Sequence, residues 1–298
     1  MKIEKIQNNL ERSFYNILRE KLALGESRHQ AKLNGEDTSK KIYSSQSFKN
    51  YVSHSKQFAK FCAENGCRNT KQAEKNITNF LDHLKEAGYS AASQATYKST
   101  LAKLFDKEID YKTDIRERAN ITNNRGESKA YFSEKNNHDL VNFCRNTGLR
   151  RCEVQKVKGT DLRETNGIYY VHVLSGKGGK ERFARIAGQK VTEENGQKRI
   201  EYSKECLEVI RLMKGKGMEK VFGKVNNTAP IHRYRQDYAD KIYKENARPI
   251  DKISREERYD CRKDRVGESF DRKAMLIVSK NLGHNRIDVI ANSYLFIK

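Results

Sequence analysis

TGLRRCE at 147–153 and GIYYVHVLSGKGGKERFARIA at 167–187 place a helix end, a new helix start and a β-hairpin in close succession. Gly148 closes a helix carrying Leu140, Val141 and Phe143, for which Ser133 is the expected N-cap. The turn delivers Arg150 to the start of the next helix, with Glu153 three residues on. An arginine beside a helix N-terminus is placed to grip a phosphate, although a capped helix with exposed arginines has the same letters. Residues 167–175 and 181–187 are rich in β-branched and aromatic side chains and flank GKGGK, the pattern of a hairpin. GKGGK lacks the spacing and the terminal Ser/Thr of a nucleotide P-loop.

Downstream, helical patterns run over 203–213, 231–245, 271–280 and 286–295. Upstream, 107–130 is charged with few apolar residues and is expected to be an interdomain linker. Before it, Phe48, Tyr51, Val52, Phe58, Ala59 and Cys62 form one helical stripe. Ile77, Phe80, Leu81 and Leu84 form a second, and Tyr97, Leu101, Leu104 and Phe105 a third. Residues 2–24 form an amphipathic helix through Ile3, Ile6, Leu10, Phe14, Ile17, Leu18 and Leu22, and 25–41 is a polar link. The expected organisation is an N-terminal helix and link (1–43), a helical domain (44–106), the linker (107–130) and a second domain (131–298). The fold class is mainly α with a small antiparallel β-sheet.

The 298 residues carry 60 Lys and Arg against 39 Asp and Glu, a net charge of +21, which points to a polyanionic partner, nucleic acid first. Lys49, Lys56, Lys98 and Lys103 lie on outward positions of the helical unit, where they can face phosphates or simply solvate a surface. No run approaches the roughly 18 apolar residues of a membrane span, and the N-terminus has no signal-peptide core, so a cytoplasmic, nucleoid-associated chain is expected. The six cysteines show neither CxxC nor paired Cys/His spacing, so no metal site is expected and buried free thiols are. Cys144 and Arg150 have the spacing of a Cys-dependent phosphatase loop. Cys144, however, follows a helical pattern instead of a strand, and no histidine precedes it.

Two further groups complete the set. His232 and Arg235 in HRYR share one helix face and can address one anion, and LGHNRI at 282–287 is followed by Tyr294. In this order and spacing, TGLRRCE, GKGGKER, HRYR and LGHNRI with a trailing tyrosine resemble the tyrosine recombinase (phage-integrase) family over 131–298, and 44–106 resembles that family's core-binding domain. The resemblance implies two domains forming a C-shaped clamp on double-stranded DNA attachment sites. It implies Arg150, Lys177, His232, Arg235, His284 and Tyr294 as catalytic residues, Glu153 in support of Arg150, and Lys180 and Arg182 as backbone contacts. It further implies a homotetramer on DNA, built from a chain that is monomeric in solution. No cofactor and no metal are expected, because two guanidiniums and imidazole donors can stabilise charge on a phosphodiester unaided. A non-cutting DNA-binding relative and a topoisomerase of the same chemistry remain alternatives.

His284 and Tyr294 are ten residues apart, one more than is commonest in that family, and 48 residues separate Arg235 from His284. Within that gap, 241–273 holds eleven basic and eight acidic residues and is expected to be an exposed helical insertion. Only four residues follow Tyr294, so the amphipathic face of 2–24 is a candidate for docking on a neighbouring subunit, with packing on its own domain as the alternative.

Overall fold

Four side chains one turn apart, Ile6, Leu10, Phe14 and Leu18, decide where the first helix goes. All are buried along one stripe of α1 (Ile3–Glu20), and each of the larger ones contributes about 2 kcal/mol by leaving water. The computed structural model describes residues 2–117, 132–176, 179–194, 197–262 and 265–295. Contacts divide the chain into two units, residues 1–120 and 121–298.

In the first unit α1 packs on α3 (Ser45–Glu64), and Phe14 stacks on Phe58 with ring centres 5.7 Å apart. Of the two expectations for α1, packing on its own domain is the one seen: Ile6, Leu10, Phe14 and Leu18 are buried there, while Ile3 stays exposed. The expected polar link is structured too. Ser27 caps α2 (Arg28–Leu33), and Ile42 exchanges backbone hydrogen bonds with Lys21 and Ala23 at 2.7 and 3.0 Å, which returns the chain to the end of α1. The remaining helices are α4 (Thr70–Lys75), α5 (Ile77–Glu86) and α6 (Ala91–Phe105), with Phe80, Leu84, Tyr97 and Leu101 completing the core. The chain beyond α6 stays on this unit. Ile109 is buried, Tyr111 donates to Asp82 at 2.8 Å, and the Asp114 amide donates to Gln94 at 3.0 Å. The linker expected from residue 107 therefore does not start there, and 118–130 lie outside the described residues.

In the second unit a 3-10 turn begun at Ser133 leads into α7 (His138–Thr147), which ends on Gly148 in the left-handed region, φ +60°. A Cβ there would lie 2.2 Å from the Tyr238 ring, so both φ and space require glycine. Arg150 then occupies the N-cap position of a one-turn helix, α8 (Arg151–Val154). A three-stranded antiparallel sheet follows: β1 (Leu162–Thr165), β2 (Ile168–Val173) and β3 (Arg182–Arg185), with His172 opposite Phe183. β4 (Gln189–Glu194) and β5 (Gln197–Tyr202) form a second pair, which the sequence pattern did not predict. α9 (Lys204–Lys216) and α10 (Ile231–Asn246) cover the core of Phe143, Val171, Ala184, Met213 and Tyr234.

Of the segment expected as an exposed helical insertion, 241–246 finish α10 and 272–273 open α11, and the described residues between them form no α-helix and are not wholly exposed. After α10 it forms two 3-10 turns and the strands β6 (Arg258–Asp260) and β7 (Ser269–Asp271), with Ile253 and Phe270 buried. Asp271 sits under the Arg248 fork at 2.9 Å and caps α11 (Arg272–Leu282), which is followed by α12 (Asp288–Ser293). Among the described residues no helix is long and apolar enough to cross a membrane. Five of the cysteines are buried as expected, but Cys152 is exposed. Burial pushes the Cys144 thiol up to about 12, the opposite of what a phosphatase nucleophile needs.

Candidate active site

The HRYR pattern lies in the first turn of α10, and its spacing puts His232 and Arg235 on one face, as expected. Arg235 is 2% exposed and every hydrogen bond of its guanidinium is directed. Nε donates to the Tyr294 hydroxyl at 3.1 Å, Nη1 to the Gly148 carbonyl and Nη2 to the Leu282 carbonyl. Arg150 reaches the same Leu282 carbonyl at 3.2 Å, so one acceptor at the end of α11 orients two arginines from different elements. Burial lowers the pKa of Arg235, yet a guanidinium remains charged across the working pH range.

Glu153 is the other organiser. Its carboxylate accepts four hydrogen bonds: from the Arg150 amide at 2.7 Å, from Arg150 Nη1 at 2.9 Å, and from both ends of the Arg182 fork at 2.9 and 2.7 Å. Burial by itself would raise its pKa, but the paired guanidiniums hold it down at about 2. Arg182, expected at the DNA surface, is thus corrected. It is 9% exposed, and its Nε donates to the Asn281 carbonyl at 2.9 Å, so it faces inward and ties the hairpin strand β3 to α8 and α11. The signal was present in the sequence. Arg182, Ala184 and Ile186 alternate on one side of the strand, and the latter two are core residues. Gly283, φ +69°, lets the chain leave α11 against Arg182, where a Cβ would come within 2.9 Å of its Cδ.

Tyr294 is buried, with its hydroxyl also 3.2 Å from His284 Nε2 and its ring edge-on to His232 at 5.9 Å. Arg150, His232, Arg235, His284 and Tyr294 together line one pocket of about 560 Å³. Arg151, which sequence reasoning passed over, also lines it and braces the entry to α10 by donating to Asn226 at 2.6 Å and to the Ala229 carbonyl. Lys177 lies outside the described residues. The hairpin around it is closed by the Gly176 amide donating to the Lys180 carbonyl at 2.8 Å, and Lys180 itself is exposed. Among the described residues no group of three or more His, Cys, Asp or Glu side chains is placed to hold a metal ion.

The lysines of the first unit differ from one another. Lys49 is exposed, and Lys56 stands 3.8 Å from Glu11. Lys98 donates to the Tyr111 carbonyl at 2.8 Å and Lys103 to the Lys41 carbonyl at 3.2 Å, so both serve the unit's own backbone. Burial, followed by the charges of Arg28 and Lys21, lowers the pKa of Lys103.

Residues 38–116 match the family model of the phage integrase N-terminal SAM-like domain. The fold is similar to that of XerH site-specific recombinase bound to palindromic difH substrate, with a TM-score of 0.50 and 16% identity, covering 96% of this chain and 92% of that one. A weaker likeness, TM-score 0.42 and 11% identity over 97% and 95% of the two chains, is to the Tn1549 transposon integrase in complex with transposon right end DNA. No curated protein sequence matches the chain.

Proposed function

We propose that the chain is a tyrosine recombinase, on the phage-integrase SAM-like match over residues 38–116 and the similar fold, and that it is a site-specific DNA recombinase, the integrase of a mobile element. The observation that carries the proposal is the Tyr294 hydroxyl, held between Arg235 and His284 in a pocket that Arg150 and His232 also line.

A scissile phosphate seated in that pocket places its non-bridging oxygens against Arg150, Arg235 and His232. These donors are strongest toward the charge that grows on the oxygens as the phosphorus becomes five-coordinate. The Tyr294 oxygen forms a bond to phosphorus and gives up its proton, with His284 beside it as acceptor. The bond to the 5′-oxygen breaks, and Lys177 supplies the proton that oxygen needs. The product is a 3′-phosphotyrosine and a free 5′-hydroxyl. The phosphodiester energy is conserved, so rejoining needs no ATP, and positive side chains take the part a metal would otherwise play. Exchange between two duplexes requires four subunits on DNA.

Covalent trapping tests the proposal. A pool of nicked, random-sequence duplexes, from which the short fragment bearing the new 5′-hydroxyl diffuses away after cleavage, is expected to yield an adduct that maps to Tyr294. Tyr294→Phe should bind DNA and trap nothing, and an adduct on Tyr243 or Tyr259 would sink the assignment. Relaxation of a supercoiled plasmid lacking any trapped sequence would favour a topoisomerase instead.

A further inference from the structure

α12 has six residues, too few to hold itself together in water, yet it carries the tyrosine at its C-terminal end. The Ile290 carbonyl accepts the Tyr294 and Leu295 amides at 3.0 Å, and carbonyls at a helix end can also be held from outside the helix. Two side chains from other elements do so here. Gln236, the neighbour of Arg235 on α10, donates to the Ser293 carbonyl at 3.1 Å. Arg265, in the turn between β6 and β7, donates from Nη1 to the Ala291 carbonyl and from Nη2 to the Leu295 carbonyl at 3.3 Å, spanning the peptide on both sides of Tyr294.

Arg265 is itself built in. It is 6% exposed, its Nε donates to Glu268 at 2.8 Å, and its guanidinium lies over the Phe270 ring at 5.4 Å. Phe270 in turn shares a hydrophobic cluster with Ile290 and Tyr294. A cation at a helix C-terminus is also favoured by the helix dipole, and a buried guanidinium with a carboxylate partner keeps that position at little cost in uncompensated charge.

We propose that Arg265 is a positioning residue for the nucleophile: it fastens the peptide on either side of Tyr294 to the β6–β7 turn and so keeps the hydroxyl aligned with Arg235 and His284. The long segment between α10 and α11 then has a task, as a clamp on the tyrosine of its own subunit. This rests on Tyr294 being the nucleophile. Arg265 touches no reacting atom, and its effect passes through the backbone at 291–295.

The test uses the full-length chain and the nicked duplex pool, narrowed to the sequences that wild type traps. Arg265→Gln is expected to keep its half-saturating DNA concentration within about twofold and to trap at least about tenfold more slowly at saturating DNA, as misplacement of a reacting group dictates. Arg265→Lys, which keeps the charge but can reach only one of the two carbonyls, should recover part of that rate. Hydrogen exchange at the 290–295 amides should quicken in Arg265→Gln while the β2 and β3 amides stay protected. Trapping by a folded Arg265→Gln at the wild-type rate, or a loss wholly accounted for by weaker DNA binding, overturns the proposal. If Arg265→Gln does not fold, Glu268→Gln decides, because it frees Arg265 without removing it. Trapping slowed about threefold or more supports the clamp, and an unchanged rate overturns it. A wild-type chain that forms no adduct at Tyr294 overturns the functional proposal as well, whereas a normal wild-type adduct with an indifferent Arg265→Gln overturns the clamp alone.

Discussion

Glu153 is a carboxylate that two arginines cannot do without. With its folded pKa near 2 and an ordinary unfolded value, it contributes stability that is fully present above about pH 5 and lost as pH falls toward 2, at most about 3 kcal/mol. Glu153→Gln should flatten that acid limb in thermal melts recorded from pH 6 to 2.5. Arg182→Ala should cost more, about 3 to 5 kcal/mol at neutral pH, because a buried carboxylate loses its best partner. A chemical denaturation curve measures the difference, and a loss below about 1 kcal/mol would return Arg182 to the surface role first expected of it. Proton delivery can be separated from positioning. A bridging sulfur in place of the 5′-oxygen leaves without a proton, so it should restore trapping to Lys177→Ala and not to Arg150→Ala. At this scale the residues meeting in the pocket were legible as motifs, since letters at fixed spacing fix which side chains share a helix face. Arg265 was not, and Arg182 only through its alternation with Ala184 and Ile186. An arginine in a basic chain looks like surface until the partner that buries it, 29 residues away for Arg182, is known.

Most helices could be read from their apolar period, and the hairpin flanking GKGGK from its β-branched runs. β4 and β5 were obscured by charge. Their strands, QKVTEE and QKRIEY, offer little beyond Val191 opposite Ile200 to mark an inner face, although Asn195-Gly196 between them is a hairpin signal in the sequence. The insertion was misread for the opposite reason. Its charges pair with one another, Arg248 with Asp271 and Glu257, Arg265 with Glu268, and so hold down a compact segment instead of solvating a helix. α1 was legible as a helix but not in its destination, because an amphipathic stripe does not say which surface covers it. Its burial on α3 makes deletion of residues 1–24 a folding experiment. The truncated chain should lose the cooperative melting of its first unit and most DNA binding together, and Leu10→Ala should cost about 2 to 5 kcal/mol. Normal cleavage with selective loss of assembly by the truncated chain would reinstate a role between subunits.

A chain with net charge +21 should hold duplex DNA through phosphates, so its affinity for non-specific duplex is expected to fall at least about a thousandfold between 50 and 200 mM salt, if six or more phosphates are engaged. Fluorescence anisotropy across that range checks it, and a flat response would remove nucleic acid as the partner. EDTA should leave covalent trapping unchanged; loss restored by magnesium would require a different mechanism. The Leu282 carbonyl, shared by Arg150 and Arg235, also sets an order of events in time. Its two donors lie 132 and 47 residues earlier in the chain, and the tyrosine comes later still. While the protein is being made, both arginines emerge before anything exists to aim them. After dilution from denaturant, helical signal can return well before contacts so distant in sequence are closed. Cutting ability should therefore be the slowest property to recover, and a half-made chain carries the positive charge without the capacity to break a strand.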